Sequence, residues 1–195
     1  ASAENIPDLP DDYSGSAEDV SGDYIAGHMQ RVNLTGKPPN ILIYLGSDSK
    51  KVKFEEIKSI IMDCVDINAY TIYQLLEKQV LTVPWVDNAL FLIIAESNPI
   101  SDAVSKQFLD FMSKGGKILG LSASFTFGGV KLKSKNEIMD TIRTVVFSKE
   151  KDNKIKLNAL ASGKIFEVDI SEKPNPIKPL GYFDGPDKDM MIVHV

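Results

Sequence analysis

The chain has 195 residues, of which 43% are hydrophobic and 25% charged, the balance of an ordinary globular protein with room for a proper core. Its net charge of −5 disfavours nonspecific binding to nucleic acid. No apolar run approaches the ~20 residues that a bilayer-spanning helix requires. The single cysteine, Cys64, excludes an internal disulfide and indicates a reducing, intracellular compartment.

The beginning of the chain differs from the rest in composition. Residues 1–27 carry seven acidic side chains and no Lys or Arg, which leaves a net charge of +2 on the other residues, since the total is −5. With its several Pro, Gly and Ser, this segment predicts an acidic, disordered leader over residues 1–36 and a folded domain over residues 37–195. The leader lacks the basic and apolar sections of a signal or transit peptide.

The first half of the domain alternates between strand and helix patterns. Short apolar runs at Asn40–Gly46, Ala89–Ala95 and Lys117–Leu121 predict buried parallel strands, and Tyr70–Tyr73 predicts a weaker one. The connections are short, which favours a parallel sheet with helices on both faces. The connecting helices are marked by apolar spacing at Phe54, Ile57, Ile60 and Ile61 and again at Val104, Phe108 and Phe111.

Local signals indicate how these helices begin and end. Ser47–Ser49 is a plausible turn and cap for the first helix, and Ser101 is a plausible cap for the second. The glycine pair Gly115-Gly116 ends the second helix. Cys64 is predicted to be a buried structural thiol, and Trp85 a packed loop aromatic rather than an interface anchor.

The pattern changes after Gly129. Residues 130–133, 154–157, 164–168 and 190–195 predict further strands, the first of which carries a basic edge formed by Lys131, Lys133 and Lys135. A solvated edge is favoured over a site for an acidic partner. Residues 138–146 predict a helix, and the prolines of residues 173–179 predict a loop.

The third apolar run leads into a tight turn of small residues, Gly120-Leu121-Ser122-Ala123-Ser124. Such a turn is where an α/β enzyme displays a nucleophile, which makes Ser122 a candidate. A serine nucleophile needs a base, and His194 is the only realistic one, since His28 lies in the predicted leader. Two histidines and one cysteine form no zinc pattern, and no phosphate-binding glycine motif is present.

Polar residues follow the ends of three predicted strands, where an open α/β sheet binds its ligands. A flavodoxin-like module that binds a small ligand there is therefore one alternative function. The candidate strand-tip residues are Gly46, Ser47, Asp48, Glu96, Ser97 and Ser122.

Several segments occur in a recognisable order along the chain. They are Pro39–Tyr44, Gly46–Asp48, Asp63–Asp66, Pro84-Trp85, Asp87-Asn88, Gly115–Lys117, Gly120–Ser122, Ser124–Gly129, Val146–Lys149, Asp187–Asp189 and Met191–Val195. Together they resemble the region upstream of the catalytic domain in eukaryotic biotin–protein ligases, the holocarboxylase synthetases of animals. The resemblance covers residues 37–195 and does not include the leader.

The resemblance implies a three-layer αβα fold, flavodoxin-like and similar to class I glutamine amidotransferases, with a mostly parallel sheet and additional antiparallel strands. In those enzymes the turn carries Cys and Gly where this chain has Ser122 and Ser124. Their later His-x-Glu pair is not matched by His194, which is followed only by Val195, so the domain is expected to be truncated at its C-terminal end. A noncatalytic domain is therefore expected; a degenerate amidotransferase, or an acyl-transferase or hydrolase using Ser122, is the alternative.

The resemblance also implies a role. The family attaches biotin to carboxylases with ATP, through biotinyl-adenylate, and that chemistry lies in a domain downstream of this region. The upstream region is expected to contact the catalytic domain and the biotin carboxyl carrier domains of the acceptors. Biotin and ATP then belong to the parent enzyme, no cofactor or metal is expected in these residues, and no direct contact with nucleic acid or membrane is expected. The implied location is cytoplasmic, with the mitochondrion as a second location.

Overall fold

A computed structural model describes residues 38–150, 153–169, 171 and 177–195. In this part of the chain the strands form two sheets, one of four parallel strands and one of six strands with antiparallel pairing. The predicted mixed α/β class is confirmed. The predicted parallel sheet and the additional antiparallel strands are both present, but the antiparallel strands form a separate sheet that is larger than the parallel one. The predicted acidic leader lies outside the described residues.

The parallel sheet and its helices occupy the first part of the described chain. The strands are β1 (Asn40–Tyr44), β2 (Thr71–Leu75), β3 (Ala89–Ile94) and β4 (Lys117–Gly120), and the helices are α1 (Lys51–Cys64), α2 (Glu77–Thr82) and α3 (Asp102–Ser113), with a short 3₁₀ turn at Trp85–Asn88. The strand order is β2-β1-β3-β4. The flavodoxin-like and amidotransferase-like assignment stays a prediction.

The parallel sheet is buried on both faces, as its apolar runs predict. Ile41 and Ile43 of β1 pack with Ile57 of α1 on one face. Leu42 and Tyr44 point the other way and pack against the α2 and α3 side, because successive side chains of a strand alternate. Helices therefore cover both faces of the sheet.

An aromatic cluster anchors α3 to the sheet. The fully buried Phe108 ring lies edge-on to Tyr44 of β1 at 5.1 Å, to Trp85 at 6.2 Å and to Phe125 at 5.4 Å between centroids. Such edge-to-face pairs are favoured by the ring quadrupole in addition to the area they bury. Trp85 is a packed loop aromatic, as predicted, and its Nε1 donates to the Val80 carbonyl.

The helix starts follow the sequence signals only in part. The hydroxyl of Ser101 accepts a hydrogen bond from the Val104 amide, so the predicted cap of α3 is confirmed. The predicted cap of α1 within Ser47–Ser49 is wrong, because α1 begins after Lys50 and has no side-chain cap. Cys64, expected to be buried, is exposed at the end of α1.

The antiparallel sheet occupies the rest of the described chain, in the order β5-β8-β10-β9-β6-β7. Its strands are β5 (Val130–Ser134), β6 (Ile142–Glu150), β7 (Asn153–Leu160), β8 (Lys164–Val168), β9 (Lys178–Phe183) and β10 (Met190–His194). The helix predicted over residues 138–146 is wrong, since β6 pairs with both β7 and β9 there. Pro179, predicted to lie in a loop, is in β9; the loop predicted at residues 173–176 falls outside the described residues.

Tertiary contacts change the predicted exposure of one strand: β4, expected to be a buried strand, lies at the edge of the parallel sheet with Leu119 exposed. In the basic edge, Lys131 and Lys133 are exposed as predicted, whereas the Lys135 side chain is only 16% exposed. Lys133 pairs with Glu167 of β8 at 2.5 Å, and Lys135 pairs with Asp189 at 2.6 Å. Among the helices of the described residues, none is both long and apolar enough to cross a membrane.

Candidate functional site

The turn after β4 has an unusual backbone. Ser122 has a φ of +48°, a conformation that non-glycine residues seldom adopt and that occurs often at functional sites. The turn is tied to the segment that follows β3: the Leu121 amide donates to the Ile94 carbonyl and the Ser124 amide to the Glu96 carbonyl. The amides of Ser122 and Ala123, by contrast, have no acceptor among the residues that the structure describes. The turn therefore presents Ser122 and its free N–H group at the strand tip, whereas Ala123 is buried.

The turn departs from a catalytic elbow in one respect. A nucleophile elbow joins a strand to a helix, whereas the chain here passes from β4 to β5 without one. The expected base is also displaced, because His194 is exposed in β10, paired with Lys178 of β9, and is not among the residues that line the cleft beside Ser122. The geometry resembles an anion-holding turn more than a serine–histidine pair.

Ser122 opens into a cleft between the parallel sheet and the antiparallel sheet, which we call the elbow cleft. Its volume is about 480 Å³, within the range of small-molecule sites. One wall is a face of α1, where lining residues recur at helical spacing from Lys53 to Ile60. The full lining is Lys53, Glu56, Ile57, Ile60, Ala95, Gly120, Leu121, Ser122, Leu132, Lys164, Phe166 and Met191.

Two lysines of this cleft could not be assigned from the sequence alone. Lys53 donates to the Ala95 carbonyl at 2.6 Å, and Lys164 donates to the Ser134 hydroxyl at 2.7 Å. Neither makes an ion pair within the described part of the chain. The helical spacing from Lys53 to Ile60 could have indicated one wall, but only the fold shows that Lys164, more than a hundred residues later, faces the same cleft.

The predicted strand-tip residues separate into two environments. Glu96 lies against Gly46, since a Cβ atom on Gly46 would overlap the Glu96 carboxylate, and this pair is apart from the elbow cleft. Ser47, Asp48 and Ser97 are exposed. Of the predicted site, Ser122 alone lines the cleft, and its neighbour Ser124 instead donates its hydroxyl to the Asn98 carbonyl at 2.6 Å.

Glu96 is held as a carboxylate at the end of β3. Its side chain is 8% exposed, accepts a hydrogen bond from Lys50 Nζ at 2.7 Å and accepts another from the Asn98 amide at 2.9 Å. Burial acts to raise the pKa of Glu96, but these two bonds and the charges of Lys50 and Lys53 outweigh it, so the pKa lies below its ordinary value. Burial is the main cause that raises the pKa of Tyr44 to about 12, and the negative charges of Glu77 and Glu96 add to it.

We expect Glu96 to make folding sensitive to acid. A carboxyl whose pKa is lower in the folded state stabilises the fold above its unfolded pKa, and the stabilisation is lost as the pH falls through the folded value. The unfolding free energy of the native chain should therefore approach that of Glu96→Gln as the pH falls below the ordinary glutamate value of 4.5. Urea unfolding of both proteins from about pH 6 to about pH 3 measures this difference. A difference that stays constant over that range would contradict the assignment.

The fold and the elbow cleft define a mixed α/β protein whose parallel strands end beside a pocket large enough for a small molecule. The sequence is 47% identical to the human biotin–protein ligase over 199 aligned positions, which span the whole of this chain and 27% of the human protein. The resemblance to biotin–protein ligases is thus confirmed, and the chain is homologous to about a quarter of that relative. No protein-family model matches the sequence.

A solved structure provides a comparison of fold. The chain is similar to a protein described as ThuA-like from Bacteroides uniformis, with a TM-score of 0.53 and 15% identity. The match covers 80% of this chain and 72% of the other protein. At this identity the similarity concerns the arrangement of the backbone alone.

Proposed function

We propose that this chain is a noncatalytic interaction domain of a biotin–protein ligase, the enzyme that attaches biotin to carboxylases with ATP. In this proposal it contacts the ligase's catalytic domain and the biotin carrier domains of acceptor carboxylases. The homology to the human ligase supports the parent enzyme. The serines at the elbow and the absence of a helix directly after β4 argue against catalysis by these residues.

The observation that carries the interaction role is a set of exposed apolar side chains on the β6–β7 hairpin. On one face Ile155 and Leu157 of β7 are 51% and 49% exposed, and on the opposite face the paired residues Ile142 and Leu160 are 75% and 68% exposed. We call Ile155 and Leu157, which share one face, the hairpin patch. Large exposed apolar side chains on both faces of a hairpin suit a partner that covers it.

The position of β7 adds a second reason. It is the last strand of its sheet and pairs only with β6 in the described structure, so its outer edge leaves backbone N–H and C=O groups unpaired. Globular proteins usually protect such edges with charges, prolines or bulges, because an open edge pairs with other strands. β7 carries two charges, Lys154 and Lys156, but no proline, and its eight residues give an edge long enough for a partner that adds a strand or covers Ile155 and Leu157.

We expect the purified chain to bind either the segment of the human ligase outside the alignment or a biotin carrier domain, measured by titration calorimetry. Leu157→Lys should weaken that binding by about ten-fold or more, because it puts a charge into the apolar contact. Val52→Lys is the control, since Val52 is an exposed apolar residue on α1, away from the hairpin, and it should leave binding unchanged. Absence of binding to both partners, or an equal loss in both variants, would overturn the proposal.

A further inference from the structure

The elbow cleft carries more positive than negative side-chain charge. Lys53 and Lys164 contribute two ammonium groups, and Glu56 contributes one carboxylate. Each ammonium gives one of its three N–H donors to a neutral oxygen of the chain and keeps two for another acceptor. Glu96 does not line the cleft and forms its ion pair with Lys50, although its charge also attracts Lys53.

The turn supplies a donor of a different kind beside these charges. Ser122 lines the cleft, its backbone is in the left-handed region, and its N–H has no acceptor among the described residues. Backbone N–H groups in turns with a left-handed residue are often used to bind anions. The Ser122 amide and the two ammonium groups together favour a carboxylate or a similar anion at the Ser122 end of the cleft.

The remainder of the cleft is apolar. It is lined by side chains from both sheets and from α1, including Ile57, Leu132, Phe166 and Met191. Ile60 and Leu121 also line it and are exposed, Ile60 by 65%. A ligand with an apolar body would remove this surface from water, which favours binding.

From these features we infer that the elbow cleft binds a small amphiphilic anion, a carboxylate joined to an apolar body. The carboxylate lies between Lys53, Lys164 and the Ser122 amide, and the apolar body covers Ile60 and Leu121. The volume of about 480 Å³ suits a small molecule rather than a folded partner. This site shares no residues with the hairpin patch, so the test of the site does not depend on the proposed interaction role.

Octanoate serves as the probe, titrated into the 195-residue chain and followed by methyl NMR. We expect saturable shifts at the methyls of Ile60, Leu121 and Met191, with the Leu157 methyls unchanged. 1-Octanol has the same chain length without the charge and should bind about ten-fold more weakly. Octanoate that gives no saturable shift in the cleft up to its solubility limit would overturn the inference, and so would equal binding of octanol.

Three variants test the charges. Lys53→Met and Lys164→Met should each weaken octanoate several-fold and leave octanol unaffected, because each removes one ammonium group. Glu56→Gln should strengthen octanoate, because it removes the carboxylate that repels the anion. If Lys53→Met fails to fold because it loses its bond to the Ala95 carbonyl, the octanoate affinities of Lys164→Met and Glu56→Gln still test whether the cleft binds an anion. Unchanged octanoate affinity in both would overturn the inference.

Discussion

Replacement of Phe108 by alanine is expected to lower the free energy of unfolding by about 3–5 kcal/mol. The Phe108 ring is fully buried and contacts three other aromatic rings, those of Tyr44, Trp85 and Phe125. The substitution removes the ring's transfer free energy and leaves a cavity between α3 and the parallel sheet. The neighbouring rings belong to three separate segments, so they have little freedom to close that cavity.

Urea unfolding followed by the fluorescence of Trp85, the single tryptophan of the chain, measures this loss directly, since the indole lies beside the cavity. The control is Leu109→Ala, the next position on α3, where the side chain is exposed and the expected loss is below about 1 kcal/mol. Comparable losses in the two variants would show that Phe108 does not anchor α3 as its contacts indicate.

The second large effect is expected for Gly46→Ala, with a loss of about 2–5 kcal/mol. Gly46 has a φ of +97°, where an L side chain is strained. The added Cβ would also overlap the Glu96 carboxylate, which is buried and bonded to Lys50 and to the Asn98 amide. The carboxylate can move away only by weakening those bonds, so strain and a disturbed ion pair add together.

A double-mutant cycle separates these two causes. In a Glu96→Ala background the overlap is gone, and Gly46→Ala should cost only the backbone strain of about 1–3 kcal/mol. Gly120→Ala is the control, because its Cβ would meet the Ala123 Cβ at an ordinary 3.5 Å and its φ is not positive. Additivity of the Gly46 and Glu96 substitutions in chemical unfolding would contradict the proposed contact.

The sequence was most informative for segments whose burial follows from their own apolar pattern. The run from Asn40 to Tyr44 is apolar at nearly every position, which is typical of a strand covered on both faces, and β1 is such a strand. The spacing of Val104, Phe108 and Phe111 likewise defined the inner face of α3, and Ser101 marked its start. These features depend on neighbours within one turn or one strand.

The sequence was misleading where distant partners compete with local preference. Residues 142–146 have helix-like apolar spacing, yet β6 has strand partners on both sides, and those ladders outweigh the local pattern. Lys117–Gly120 has the composition of a buried strand but lies at a sheet edge, because the chain continues into the antiparallel sheet. Position at an edge is a property of strand order and is invisible in the run itself.

For the candidate site, the sequence by itself determined the elbow: the small residues around Ser122 marked a tight turn at a strand tip. Its pairing with His194 and its grouping with Gly46 and Glu96 could not be settled from spacing. Only the tertiary structure decided that Ser122 lines the same cleft as Lys53 and Lys164. These lysines come from α1 and β8, and no local sequence pattern indicates that the two elements lie near each other. A cleft between two sheets depends on how the sheets pack, and packing involves contacts between residues far apart in the chain.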